Sequence, residues 1–306
     1  MMLRALVSDL VQVPGVEVIT TRDARLPDPG LPAEVHYLAD EQEFAAAWAG
    51  CLSAADAVWP IAPETDGILE DISRRVLQAG VTLLASPPGA VRIAASKQAT
   101  AEALNRNGVP AVPVFPLDAI DHGAGQIWVV KPDDGVGCMG IRLVNAAADL
   151  ERLRADFDAQ RMFVAQHFVC GTPVSLCLLC QHGGARLLST NLQRIAVSND
   201  EFVLLGCTVN ARHVQDSGYQ DLADAIAAAV PELWGIVGVD LIVTPSGPQV
   251  LEINPRLTTS YVGLHRSLGI NPARLVLEML ETGALPAAFE SQGLPVEVAL
   301  ETMYVA

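Results

Sequence analysis

The sequence predicts an α/β fold: a small N-terminal unit built on a parallel sheet, followed by a larger domain of mixed strands and helices. Two patterns carry that expectation. Through residues 1–89, short β-branched runs alternate with stretches of helical period, the signature of a parallel sheet with crossover helices. From about residue 111 the order becomes strand, glycine loop, strand, helix, strand, and a long hairpin follows near 238–253. The composition agrees, because 306 residues at 51% hydrophobic and 18% charged, with a mean hydropathy of +0.33, can fill more than one core.

In order, a helix is expected at 3–10, an extended run at 16–20, a helix near 41–50, a strand at 56–61, a helix at 67–79 and a strand at 81–84. A parallel unit ordinarily opens on a strand, so a leading strand ahead of the first helix is expected to be missing from this sequence. The cluster Ser86, Pro87, Pro88 and Gly89 breaks the pattern, giving domains at 1–89 and 90–306. Residues 90–107 read as one or two helices that stop at Gly108 and Pro110. A lid-sized subdomain at about 111–165 contains strands at 126–131, 141–144 and 162–166 and a helix at 147–160. Strands at 174–180, 185–190 and 203–205, a helix at 219–229, the hairpin and a helix at 272–281 complete the chain.

Several function classes are excluded. The apolar stretch from Leu233 to Val243 is interrupted by Gly235, Gly238 and Asp240, well short of the roughly 18 residues a membrane span needs. Near the N-terminus Asp9 intervenes before a signal-peptide core could form, so a cytoplasmic protein is expected. With 19 basic against 35 acidic residues, the net charge of -16 opposes binding to nucleic acid or anionic membrane and points to small-molecule partners. Six cysteines are ordinary for a reducing compartment. Cys177 and Cys180, three apart on an expected strand, face opposite sides and read as core residues.

Of the 19 basic residues only Lys97 and Lys131 are lysines. Lysine presents a compact ammonium where arginine presents a wide fork, a difference that matters among phosphate oxygens in a tight pocket. Codon bias with two leftovers is the plain alternative. Gly135, Gly137 and Gly140 match G-x-G-x-x-G, but the dinucleotide version needs a helix to follow. Here an extended run follows, so the segment reads as a glycine-rich hairpin loop whose backbone could close over phosphates, with Lys131 ending the strand before it.

A hairpin loop over 244–248 would pair Val243 with Gln249 and set Asp240 opposite Glu252, with Asn254 two residues along the same face. The carboxylates would then lie roughly 5 Å apart, a repulsive arrangement unless a cation sits between them. Two carboxylates and an amide carbonyl form a hard oxygen site suited to Mg²⁺. Arg256 follows, placed to meet an anion, and Thr258, Thr259, Ser260 and Tyr261 continue a polar loop. Arg194 is either a second guanidinium for that anion or a surface salt bridge.

Lys97 before a helix, Lys131 before a glycine loop, Asp240 on one strand and Glu252-x-Asn254 on the next together resemble the ATP-grasp superfamily over roughly residues 90–285, with the preceding α/β unit resembling its usual N-terminal domain. The resemblance implies an ATP-grasp fold with a pre-ATP-grasp domain, and ATP and Mg²⁺ (or Mn²⁺) as cofactors. It implies that Lys97 and Lys131 bind the phosphates under the glycine loop, that Gln166, His167, Phe168 and Val169 contact adenine, and that Asp240, Glu252 and Asn254 hold the metal. Arg256 and Arg194, with Lys131, would face the transferred phosphate. Gln166 and Pro173 depart from the pattern where many relatives carry acidic residues, one of them a ribose ligand. Within the superfamily, the segments at 62–67 and 252–261 look like the tyramine–glutamate ligase group of methanofuran and methylofuran biosynthesis. That implies an amide ligation through an acyl phosphate between an amino acid and an amine. Glu64, Thr65, Asp66, Thr258, Thr259, Ser260 and Tyr261 would be substrate residues, and related ligases imply a homodimer. Another ATP-grasp amino-acid ligase and a nucleotide binder without catalysis stay open as alternatives. An NAD-dependent oxidoreductase rests on the glycine spacing alone.

Overall fold

The computed structural model describes residues 1–28, 30–120, 126–156, 162–198, 200–214, 218–289 and 291–300. Its N-terminal unit runs α1 (Met2–Leu10), β1 (Ile19–Asp23), β2 (Glu34–Leu38), α2 (Glu41–Ala54), β3 (Ala57–Val58), α3 (Ile68–Gln78) and β4 (Thr82–Leu83). The expected parallel pairing is present, but as two separate pairs, β1 with β2 and β3 with β4. β2 was not expected from sequence, because its polar Glu34, His36 and Tyr37 hide the alternation. α2 starts where Asp40 accepts from the N–H groups of Gln42 and Glu43. α3 buries Leu69, Ser73 and Val76, spaced to fall on one face.

Two short helices bridge to the larger domain: α4 (Pro88–Ala95) and α5 (Lys97–Arg106). The proline cluster expected to be a break instead opens α4, since Pro88 fits the first helical turn, where no backbone donor is needed. Ser96, extended, separates the helices and caps α5 by accepting from Ala99 N. That corner makes Lys97 the first residue of its helix.

The lid follows: β5 (Phe115–Pro116), β6 (Trp128–Pro132), β7 (Arg142–Val144), α6 (Ala147–Asp156) and β8 (Phe163–His167). The predicted helix at 147–160 is found to residue 156; its last turn lies outside the described residues. Ile120, Trp128, Val130, Val144, Leu150 and Ala165 form a small core of the lid's own. The body then adds β9 (Thr172–Gln181), β10 (Gly184–Ser198), β11 (Glu201–Val209), α7 (Tyr219–Ala229), β12 (Gly235–Thr244), β13 (Gly247–Asn254), α8 (Tyr261–Leu268), α9 (Pro272–Thr282) and β14 (Val296–Ala299). One curled sheet joins body and lid in the order β13-β12-β9-β10-β11-β7-β6-β8-β5, with β14 on β11.

Strand alternation sorts the residues of β9 and β12 between two layers. Leu176, Leu178, Cys180, Val237, Val239 and Leu241 pack under α4, α5 and α7. Cys177, Leu179 and Ile236 face α1, α8 and α9. Cys177 and Cys180 therefore take opposite faces, as their spacing requires, and all six cysteines are free thiols. Beyond Ile236 that second face emerges from the core into a cleft under the lid. No helix among the described residues is long and apolar enough to cross a membrane.

Candidate active site

The cleft has a volume of about 490 Å³ and is walled by β10–β13 below, β6, β8 and the glycine loop above, and the 61–63 segment of the N-terminal unit. Both lysines reach it, and both are 4% exposed. Lys97 Nζ donates to the carbonyls of Gly135 at 2.7 Å and Asp133 at 3.2 Å and lies 3.4 Å from Glu252 Oε2. The lysine is thus tied to the root of the loop that would cover a phosphate. Burial brings the Lys131 ammonium down to about 8, against the pull of Glu252.

Asp240 and Glu252 are paired across β12 and β13, as predicted, but for a different reason. The turn is tighter than expected: Thr244 pairs with Gly247 and Val243 with Pro248, and that register alone would not bring Asp240 opposite Glu252. A bulge at Leu251 restores it and also turns Leu251 into the cleft. Asp240 Oδ1 accepts from Gln193 Nε2 at 2.9 Å and Oδ2 from Asn254 Nδ2 at 3.3 Å. Burial and the Glu252 charge push Asp240 up to about 8. Burial opposes charge on Glu252 too, but Lys97 and Lys131 outweigh it and hold that carboxyl below its ordinary value. Two half-buried carboxylates of which one resists ionisation are an arrangement a divalent cation relieves, so Asp240 and Glu252 fit Mg²⁺. The Asn254 amide oxygen faces Arg256 at 3.5 Å and would join them after an amide flip.

The glycine loop connects β6 to β7, which pair as an antiparallel hairpin. No helix follows Gly140, so the dinucleotide reading falls. Gly135 and Gly140 both fold over Pro132, and Gly135, Gly137, Cys138 and Met139 line the cleft while Gly140 stands behind it. Gln166, His167, Phe168 and Val169 line the opposite end. Gln166 Nε2 donates to Val112 O at 3.1 Å, His167 stacks on Trp128 at 3.9 Å, and the Phe168 N–H is taken by Ile127 O.

Arg256, Thr258, Thr259 and Ser260 line the cleft, and Thr258 fits there because Gly238 lacks a side chain, since a Cβ would collide with it. Glu64 is 3% exposed and uses one oxygen, Oε2, to accept from Arg256 Nε at 3.0 Å and a terminal guanidinium nitrogen at 2.9 Å. It is therefore a partner of Arg256 across 192 residues of sequence. Thr65 and Asp66 bond to Asp134 at the root of the glycine loop and do not line the cleft.

Two further sequence expectations are corrected. Arg194 alternates with Gln193 on β10 and so projects to the far face, where it bonds Glu297 and the Val298 carbonyl. Tyr261 opens α8 and is 1% exposed in the core. Gln193, the neighbour of Arg194, is the residue that reaches the site; sequence reading passed over it because it chose the charged member of the pair. Ser175, Ile195, Phe202, Leu204 and Cys207 also line the cleft without any motif to announce them.

Similarity to known proteins bears on the family and the fold. Residues 94–260 match the model of the ATP-grasp domain, and residues 16–91 that of the pre ATP-grasp 3 domain. Tyramine--L-glutamate ligase of Methanocaldococcus jannaschii is 29% identical over 205 residues, 67% of this chain and 56% of that protein. The enzyme of the same name from Methanocaldococcus fervens is 28% identical over 205 residues, 67% of this chain and 60% of its own length. The chain thus spans less than two thirds of these curated relatives. The crystal structure of L-amino acid ligase from Bacillus licheniformis superposes with a TM-score of 0.71 at 18% identity, covering 96% of this chain and 72% of that one, which shows the shared fold. With its lysines, glycine loop and paired carboxylates in one cleft, and the family model matched over more than half its length, the chain belongs to the ATP-grasp family.

Proposed function

We propose that this protein is an ATP-dependent carboxylate–amine ligase that joins L-glutamate, through its γ-carboxyl, to tyramine. The observation that carries the ligase reading is the convergence of both lysines of the chain, buried, on the Asp240–Glu252 pair. The names of the two curated relatives support the substrates.

Lys97 and Lys131 hold the phosphates of ATP, and the loop from Gly135 to Met139 excludes water from above them. Asp240, Glu252 and Asn254 would hold Mg²⁺ (or Mn²⁺), which when bound offsets charge on phosphate oxygens. The substrate carboxylate attacks the γ-phosphorus, its bond to the bridging oxygen breaks, and ADP leaves an acyl phosphate. The amine then attacks the acyl carbon, phosphate departs, and the amine gives up a proton. Arg256, held by Glu64, faces the phosphoryl group, and no covalent bond to the protein forms. The chemistry is positioning and charge compensation.

Phosphate release from Mg-ATP is the test, measured with L-glutamate alone and with a panel of amines, with Lys131→Ala as control. Release that requires glutamate and tyramine together and vanishes in the variant supports the full reading. Release with another acid and amine retains the ligase and overturns the substrates; none with any pair overturns the ligase.

A further inference from the structure

The cleft floor has two apolar areas, and the fold keeps them apart. One comprises Ile242 on β12 and Leu251 on β13, beneath Val129 and the segment from Gln166 to Val169. That segment leads into Gly171, which lies directly against Ile242 and the Val243 backbone, so the nucleotide-base end of the cleft is fixed over β12. The other area comprises Ile195 on β10 with Phe202 and Leu204 on β11, continued by Ile141, since Arg142 pairs with Glu201. β12 and β11 are three strand spacings apart in the sheet, about 14 Å. One planar base does not cover both.

The second area is built by an irregularity. Ile195 pairs with Leu204 and Arg194 with Gly206, leaving Leu205 as a bulge. Without it, Leu204 and Cys207, three residues apart, would face opposite sides; with it both line the cleft. Gly206 takes φ +136°, where a Cβ would strike the Val298 carbonyl and the Arg194 guanidinium, so the bulge depends on glycine. At its inner end the area meets Gln193, whose amide bonds Asp240. The strip thus starts at the reacting centre and runs outward, half-exposed and without a charged side chain among its lining residues. Of the polar residues that line the cleft, Thr258 packs on Gly238 of β12 and Arg256 is held by Glu64.

Resting on the ligase reading above, we infer that Ile195, Phe202 and Leu204 form the acceptor pocket, selecting an amine with an apolar, aromatic body, while the 258–260 hydroxyls take the amino-acid substrate. The nucleophilic nitrogen would lie near Gln193, with its carbon skeleton along the strip.

The test measures binding by calorimetry of ethylamine, butylamine, phenethylamine and tyramine, and separately of a non-hydrolysable Mg-ATP analogue, to wild type, Leu204→Asn and the size-conserving Leu204→Met. Wild-type affinity is expected to rise on the order of tenfold or more from ethylamine to phenethylamine. Leu204→Asn should lose that gain with analogue binding unchanged within threefold, and Leu204→Met should keep it. Affinity indifferent to the apolar body, no amine binding at all, or loss of analogue binding in place of amine binding in Leu204→Asn overturns the inference. Phosphate release by wild type, run in parallel, reports on the ligase reading independently. If no acid and amine pair supports release, that reading fails while the binding series still decides the pocket.

Discussion

Removing the Glu64 carboxylate tests how the two domains cooperate. Glu64 is 3% exposed, and the Arg256 side chain it grips is 12% exposed. Glu64→Ala would strand a guanidinium that keeps only the Leu257 carbonyl at 3.1 Å and the distant Asn254 oxygen. Breaking one side of a buried ion pair costs about 3–5 kcal/mol. At about 2 °C per kcal/mol for a chain of this size, the melting temperature should fall by roughly 6–10 °C. Glu64→Gln keeps an acceptor and should lose less. Differential scanning fluorimetry of both variants, of Arg256→Ala and of the double variant closes the cycle. Arg256→Ala should remove most of the penalty of Glu64→Ala, giving a coupling of about 2 kcal/mol or more. A melting temperature within 2 °C of wild type for Glu64→Ala, or additive effects in the cycle, would refute the pairing as the role of Glu64.

Three further outcomes are expected. Lys131, brought down to about 8 while buried, must be protonated to hold phosphate, so affinity for a Mg-nucleotide should weaken as pH rises above 8 and binding there should take up a proton. The same depression means the folded chain loses this proton before the unfolded one does, so this group's contribution to stability rises with pH between about 8 and its ordinary 10.5; a nucleotide affinity flat from pH 7 to 9.5 would contradict the assignment. Arg194→Ala should leave phosphate release within threefold of wild type while Gln193→Ala lowers it at least tenfold, and the reverse order would place the wrong side chain in the site. Gly206→Ala should lower the melting temperature by several degrees and weaken amine binding, checked by fluorimetry and calorimetry on the same protein.

The chemistry of this site was legible wherever one residue type carried it alone. Lys97 and Lys131 stand out because arginine does every other basic task, and Asp240 and Glu252 because they interrupt otherwise apolar strands. The same reading placed α9 and the β6–β7 hairpin closely, since Asn271 and Pro272 mark one and the glycines the other. What escaped it was geometry set at a distance. The partner of Arg256 lies 192 residues away. The bulges at Leu251 and Leu205 shift register by one residue, enough to move side chains to the other face; the first has no local signature, and the second is marked only by Gly206 beside it. Tyr261 looked like the end of a polar loop because Thr258, Thr259 and Ser260 precede it, yet it begins α8 and its ring completes the core.

The lid and the body share one sheet, yet among the described residues β7 meets β11 at a single rung, Arg142 opposite Glu201, with an ion pair of 2.6 Å and a backbone bond from Leu143 to Asp200. Both side chains of that pair are more than a third exposed, and such contacts hold with about 1 kcal/mol or less. The root of the glycine loop is fastened far more firmly, by Lys97, Gln98, Thr65 and Asp66. The roof of the cleft is therefore a door with a strong jamb and a weak latch. Loosening that outer edge would leave the Lys97 ammonium and the root of the loop where they are.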